Sequence, residues 1–449
     1  MNKREFLRTS GVLLTGSMLS HLAKGEQALE PHRTNWAGNI EYSTGHLYQP
    51  ATVEEVQQTV KSSAKLRALG ARHSFNRIAD STAAQISLQH LDSMQVGEKA
   101  STVTVGAGVK YGQLAPYIDQ YGFALPNLAS LPHVTVIGAT ATATHGSGIK
   151  NGNLSTVVSG LEMVTADGNK IKLSRAKDGE QFPGMVVNLG ALGIVTSITL
   201  DLVPSFQIAQ TVYQNLSFSQ LEKHLDEIYS SGYSVSLFTD WQNHHATQVW
   251  IKKRAEGSIA PQFPAEFYGA TRATENLHPI AGHSAESCTE QMGIPGPWYE
   301  RLPHFKMNFV PSGGHELQSE YFVPRENGYE AILAVEKLKD RITPHLLVSE
   351  LRTIDEDHLW ISPCYRRASL ALHFTWKPEW PEVKQILPLI ERELAPFDTR
   401  PHWAKLFTMP PAELQAHYAK MDDFKSLLQH FDPKGKFRNE FLDVNLYGG

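Results

Sequence analysis

The sequence predicts an α+β protein of two domains divided near residue 205, and three observations carry that reading. The chain has 449 residues, 41% of them apolar and 9% aromatic, enough to fill two or three separate cores. Up to Pro204 it is rich in short β-branched runs and glycines, with amphipathic helical stretches between them. Beyond Pro204, helices such as SFSQLEKHLDEIYSSG alternate with aromatic-rich strands such as YSVSLFTDWQ and SLALHFTW. The domains are therefore read as residues 31–205 and 206–449.

The N-terminus reads as a targeting segment. MNKREFLRTS is basic, and GVLLTGSMLS is apolar but too short to span a bilayer. Lys3-Arg4-Glu5-Phe6-Leu7-Arg8 resembles a twin-arginine export signal with lysine in place of the first arginine. Residues 1–30 are read as that signal, cut between about residues 23 and 31, with an ordinary basic tail as the alternative. The protein is then periplasmic or secreted, or cytoplasmic if the tail reading holds. No later run is long and apolar enough for stable membrane insertion.

Next comes PATVEEVQQTVKSS, a helix. Thr52 is its N-cap, Glu55 completes a capping box, and Val53, Val56 and Val60 share one face. LRAL is a short strand ended by Gly70, so His73 falls just past a strand's carboxyl end, where open α/β sheets bind ligands. STVTVGAGV reads as a strand, and YGQLAPYIDQYG as a helix closed by Gly122. SGLEMVTADGNKIKLS is a hairpin turning at Asp167-Gly168, and LGIVTSITLDLVP is a strand stopped by Pro204. In the second half, a Pro/Gly-rich connector at residues 293–305 interrupts the pattern.

Composition and motifs exclude several functions. A formal charge of -5 argues against nucleic acid as a partner, because phosphate binding needs a basic excess. Cys288 and Cys364 have no CxxC spacing, so a zinc–thiolate or dithiol redox site is not indicated, and their pairing stays open. VGAGVKYG fails as a dinucleotide fingerprint, since Tyr111 stands where the third glycine belongs. GGHELQSEYF fails as a zinc-protease motif, since Ser319 replaces the second histidine. No metal site is expected.

Other stretches leave two readings each. The small residues of VIGATATATHGSG either cradle a pyrophosphate with backbone amides or form a tightly packed bend. In SELRT, Glu350 and Arg352 lie two apart on one strand face, as do His373 and Thr375 in LALHFTW. They make a polar floor or an ordinary cross-strand ion pair. Lys405 in RPHWAKLF is a snorkelling surface lysine or a fixed cation in a pocket.

Eight fragments in order, GARHSFN, NLASLPHVTVIGATATATHGSG, LGALGIVTSITL, LQSEYFVPR, VSELRTI, ALHFTW, RPHWAK and FDPKGKFRNEFL, resemble the alditol oxidase branch of the vanillyl-alcohol oxidase flavoprotein family. The sugar-1,4-lactone oxidases are related. The resemblance covers roughly residues 33–449. It implies a two-domain FAD-binding fold with an α+β substrate (cap) domain whose C-terminal segment packs back near the FAD domain. It also implies that His73 bonds covalently to the flavin 8α-methyl. Around the FAD it sets Ala68, Leu69, Gly70, Ala71, Arg72 and Ser74, then Thr135, Gly138, Thr142, Ala143, Thr144 and His145. Ile194 matches a residue on the adenine side, and His402 one that contacts the flavin.

Ser130, Glu350, Arg352 and Thr375 match residues that hold a polyol, and His373 and Lys405 match polar residues over the reacting carbon. The implied reaction oxidises the C1 hydroxyl of a xylitol- or sorbitol-class alditol to the aldose, with O2 reduced to hydrogen peroxide. Small Ala129, beside Ser130, implies open access for oxygen. The alternatives are an aldonolactone oxidase on the same scaffold and a non-catalytic carbohydrate-binding flavoprotein.

Overall fold

A computed structural model describes residues 32–256, 259–309 and 314–448. The export-signal reading of residues 1–30 lies outside the described residues. Thr52 caps the helix Val53–Ser62, its Oγ1 accepting from the Glu55 amide at 3.2 Å. Glu55 reaches back one residue further than a capping box requires, accepting from Ala51 N at 2.8 Å. Val56 and Val60 are buried against Leu66, Ile86 and Ile194, and Val53 stays at the edge of that cluster. Beneath this helix lies a three-stranded parallel sheet in the order Leu47–Tyr48, Gln85–Ser87, Arg67–Leu69.

A five-stranded antiparallel sheet follows: Met94–Gly97, Thr102–Gly106, Ile194–Asp201, Val158–Val164 and Lys170–Ser174. The hairpin between its last two strands uses a five-residue connection, 165–169, rather than a two-residue turn. Gly168 takes φ +81 there, and the Asp167 carboxylate accepts from Thr165 Oγ1 at 2.6 Å and Asn169 N at 3.1 Å. The glycines of VGAG serve close approach. A Cβ at Gly106 would lie 2.2 Å from Leu91 O, and one at Gly108 2.5 Å from Gln89 O, so neither position admits a side chain.

Past residue 205 the chain leaves these sheets. Among the described residues no strand pairing crosses that point, and a ten-stranded antiparallel sheet is built from residues 207–401. Its central strands alternate sharply. In Ser369–Trp376, Leu370, Leu372, Phe374 and Trp376 pack with the helices Leu221–Ser230, Gly328–Glu336 and Trp380–Leu394. Each such burial is worth roughly 1.5–3 kcal/mol. Ala371, His373 and Thr375 therefore face the opposite side. The same alternation sends Leu351 one way and Glu350 and Arg352 the other, and likewise Tyr321 against Gln318 and Glu320. The failed zinc-protease stretch is thus strand, not helix, from Leu317 to Pro324.

The C-terminal segment returns to the first half. Leu414, Phe424, Leu427 and Leu428 join the core that holds Val103, Met163 and Ile198. Cys288 and Cys364 are both free and buried in separate apolar clusters. Among the described residues no helix is long and apolar enough to cross a membrane.

Candidate active site

A cavity of about 570 Å³ lies between the two halves. It is walled by residues 67–75 at the end of the Arg67–Leu69 strand, by the 129–145 loop, by residues 188–195, and by the polar face of the ten-stranded sheet. Residues 68–74, Ser130, Thr135, Gly138, Thr142, Thr144, His145, Glu350, Arg352, His373, Thr375, His402 and Lys405 all line it. Two expected residues do not. Ala143 adopts φ 54 and turns its methyl into the first core, at 1% exposure. Ile194 packs on Val56 and Val60, while its neighbours Gly193 and Val195 face the cavity, as strand alternation requires.

The 70–76 loop is clamped from both sides. Trp36 N donates to Arg72 O at 2.8 Å, and Asn35 Nδ2 to Ser74 O at 2.9 Å. From the second half, Ala404 O accepts from Phe75 N at 2.7 Å. Trp403 O and Lys405 O each accept from Asn76 Nδ2 at 2.8 Å. Arg72 sits in the left-handed region, φ 62, a conformation that stores strain and clusters at functional sites. His73 lies against Trp36, ring centroids 4.4 Å apart. Burial pushes its pKa down to about 3, with Lys405 and His133 adding to the effect. Its Nε2 is buried without a hydrogen-bond partner. A neutral imidazole with an unclaimed nitrogen at the wall of this cavity fits a bound FAD.

The opposite wall is a polar floor read across three strands. Glu350 and Glu320 both pair in register with His373. Arg352 and Phe322 flank Ala371, and that small side chain lets the guanidinium cross over to the third strand. Arg352 Nη2 donates to Glu320 Oε1 at 2.6 Å, and Nη1 to Ser130 Oγ at 3.4 Å. Its Nε lies 3.6 Å from Glu350 Oε2. Lys405 Nζ donates to Glu320 Oε2 at 2.7 Å. Burial alone would raise the Glu320 pKa, but Lys405, His145 and Arg352 hold it well below the usual carboxylate range. Burial keeps Lys405 below its ordinary value despite Glu320.

A hydrogen-bond chain sets the state of His373. Gln318 Nε2 donates to Glu316 Oε1 at 2.6 Å, which turns the amide oxygen toward His373 Nε2 at 3.1 Å. The ring proton therefore sits on Nε2, and Nδ1 is the basic atom. Burial, followed by Lys405, holds the His373 pKa well below its normal value, so the ring is neutral.

Glu320, Gln318 and His304 were missed by sequence reasoning. Glu320 and Gln318 lie within the stretch set aside as a failed metal motif, and their two-residue spacing on LQSEYF was the available signal. His145, Glu320 and His402 bring two imidazoles and a carboxylate within 4.8 Å of one another, a donor set that suits iron. Both Glu320 oxygens are already bound to cations, so a further positive charge there meets repulsion.

A sequence profile described as an FAD binding domain matches residues 45–174, and one for D-arabinono-1,4-lactone oxidase matches residues 315–445. With the cavity, these define an FAD-dependent oxidoreductase. Alditol oxidase from Streptomyces sp. is 45% identical over 414 residues, covering 91% of this chain and 97% of that protein. A putative D-arabinono-1,4-lactone oxidase of Neurospora crassa is 34% identical, covering 90% and 84%. The L-gulonolactone oxidase of Mus musculus is 26% identical, covering 92% and 98%. The chain belongs to the flavoprotein oxidase family that contains alditol oxidase and the sugar-lactone oxidases. Cholesterol oxidase from B. sterolicum shares the α+β fold of the vanillyl-alcohol oxidase type at a TM-score of 0.76 and 16% identity, covering 93% of this chain and 97% of that one.

Proposed function

We propose that the enzyme oxidises the C1 primary hydroxyl of an alditol of the xylitol and sorbitol class to the aldose, using FAD bonded covalently to His73 and reducing O2 to H2O2. The observation that carries this reading is the floor itself. Acceptors and donors in fixed positions, Glu350, Arg352, Thr375 and Ser130, face the cavity that His73 walls. An acyclic chain of hydroxyls needs such an array, and a substrate lacking one hydroxyl leaves a buried polar group unpaired. The Streptomyces relative, at 45% identity, supports the same substrate class.

The chemistry that bound FAD supplies is two-electron acceptance, of a hydride from C1 and then onward to O2. The chain's own residues handle binding and the proton. Glu350 and Arg352 orient the polyol. His373 Nδ1 takes the C1 hydroxyl proton, a contribution of roughly 100- to 10,000-fold. The Lys405 ammonium, held by Glu320, stabilises the developing alkoxide. Ala129, small and at the cavity wall, leaves room for O2 to approach. Air-saturated stopped-flow mixing should then show fast return of oxidised flavin absorbance, and slow return would remove the oxidase assignment.

The deciding experiment is an acid-treated denaturing gel viewed under ultraviolet light. Yellow fluorescence should stay with the wild-type band and leave the His73→Ala band. Wild-type protein that releases all its pigment overturns the covalent link, and colourless protein overturns the whole reading. The lactone-oxidase profile over residues 315–445 favours a second reading, which peroxide assays with xylitol, sorbitol and a γ-lactone separate. Export through the residue 1–30 signal completes the proposal, because a covalent anchor keeps FAD from being lost outside the cell interior. Activity confined to the cytoplasmic fraction would sink that part alone.

A further inference from the structure

We propose that Lys252 and His304 form a relay that locks Glu350 as a hydroxyl acceptor and so sets the affinity for the polyol. The inference rests on the reading that Glu350 holds substrate hydroxyls. Lys252 stands on the strand His245–Ala255, paired to both neighbouring strands, and is 1% exposed. Its Nζ donates to the Leu302 carbonyl and lies 3.1 Å from His304 Nδ1. His304 Nε2 lies 2.7 Å from Glu350 Oε1. His304 comes from the Pro/Gly-rich connector, tied by its backbone N–H to Ser130 O at 3.1 Å. Its ring sits edge-on between Trp250 and Phe238, at centroid distances of 5.0 and 5.6 Å.

Both ends of this chain dictate one tautomer. Burial pulls the Lys252 pKa down to about 7, and charged or neutral its Nζ carries hydrogens to donate, so His304 Nδ1 accepts. A carboxylate only accepts, so His304 Nε2 must carry the ring proton. Burial pushes the His304 pKa down to about 4, so the ring is neutral and has just that one proton to place. Glu350 Oε1 is thereby engaged, and Oε2, 3.6 Å from Arg352 Nε, is the oxygen left to accept from substrate. With the opposite tautomer, a lone pair would face Oε1 and repel it. Lys252 is not among the residues that line the cavity. Lys252→Met takes the donor from the Leu302 carbonyl and from His304 Nδ1, and buried acceptors left unpaired cost stability. Lys252 and His304 are therefore positioning residues acting through Glu350.

The test uses holoenzyme carrying Lys252→Met, His304→Leu, His304→Gln or Glu350→Gln. Calorimetry measures xylitol binding to photoreduced, anaerobic enzyme, which cannot turn over. Stopped-flow mixing gives the limiting rate of flavin reduction. Lys252→Met and His304→Leu should each weaken binding about tenfold or more, the effect of one charge-assisted hydrogen bond. Flavin reduction should slow much less. His304→Gln, which keeps an N–H toward Glu350, should recover most of the affinity. Wild-type Kd in Lys252→Met overturns the relay, as does a limiting rate that falls in step with affinity. If His304→Leu fails to take up FAD, Lys252→Met and His304→Gln still decide. An unchanged Kd in Glu350→Gln instead overturns the assignment of Glu350 to the polyol.

Discussion

Glu320 is fully buried with both oxygens bound, one to Lys405 and one to Arg352, so it is the anion against which two cavity cations are held. Glu320→Gln leaves both cations underbalanced, a loss on the order of 3 kcal/mol, and kcat/KM for polyol should fall about a hundredfold. Because Glu320 raises the Lys405 pKa against burial, removing it lowers that pKa further. The alkaline limb of kcat/KM, which reports loss of the ammonium, should move to lower pH in Glu320→Gln. An unmoved limb would detach Lys405 from the chemistry. His373 makes the opposite kind of prediction. Its pKa is already held well below 6.5, so it stays neutral as the pH drops through 6. Wild-type kcat should show no acid limb near pH 6.5, and a limb there would mean that the base titrates as an ordinary histidine.

At the level of strands, one small residue lets the floor work. Ala371 is fully buried between Arg352 and Phe322, and the Arg352 side chain passes over it to reach Glu320. Ala371→Leu overfills that crossing, at a cost of roughly 1–3 kcal/mol, and parts the ion pair. Polyol KM should rise while FAD stays bound, and steady-state kinetics against flavin content per chain checks this. The two-residue spacings in SELRT and LALHFTW made half of this floor legible, because a strand's period of two puts such residues on one face whatever the sheet does. The other half was hidden by pairing order. Leu317–Pro324 joins the floor through a partner strand some fifty residues downstream, and no local pattern announces that neighbour. His304 was invisible for a different reason. It sits in an irregular connector with no period to read, and its role comes from docking on Ser130. Thr52 was readable as a cap from local chemistry, yet the exact partner of Glu55 was not.

On the scale of the whole chain, the first half is finished by the last residues. Arg67 is buried, its pKa pushed down to about 10 by desolvation. Its guanidinium donates to the carbonyls of Gly190, Phe437, Ile78 and Leu189. Leu66 N donates to Lys436 O at 2.9 Å, and Asn439 Nδ2 to the carbonyls of Arg77, Ile78 and Asp80. Arg67→Met takes its donor from the carbonyls of Gly190, Phe437 and Leu189, while Ile78 O keeps Asn439 Nδ2, and should cost about 3 kcal/mol. It should lower Tm and flavin content together, whereas wild-type flavin content would show that the His73 loop holds without this clamp. The change of texture at Pro204 coincides with the switch between sheets, since a proline that ends one strand run and new aromatic spacing are both local signals. The return of residues 411–448 into the first core is a long-range event that no local signal carries.

That return orders events during synthesis. Until residues 436–439 emerge from the ribosome, Leu66, Arg67 and the carbonyls of residues 77–80 lack these partners, and the nascent chain offers the cofactor an unfinished cradle. Loading therefore follows the synthesis of residues 436–439, whichever compartment the polypeptide goes on to occupy.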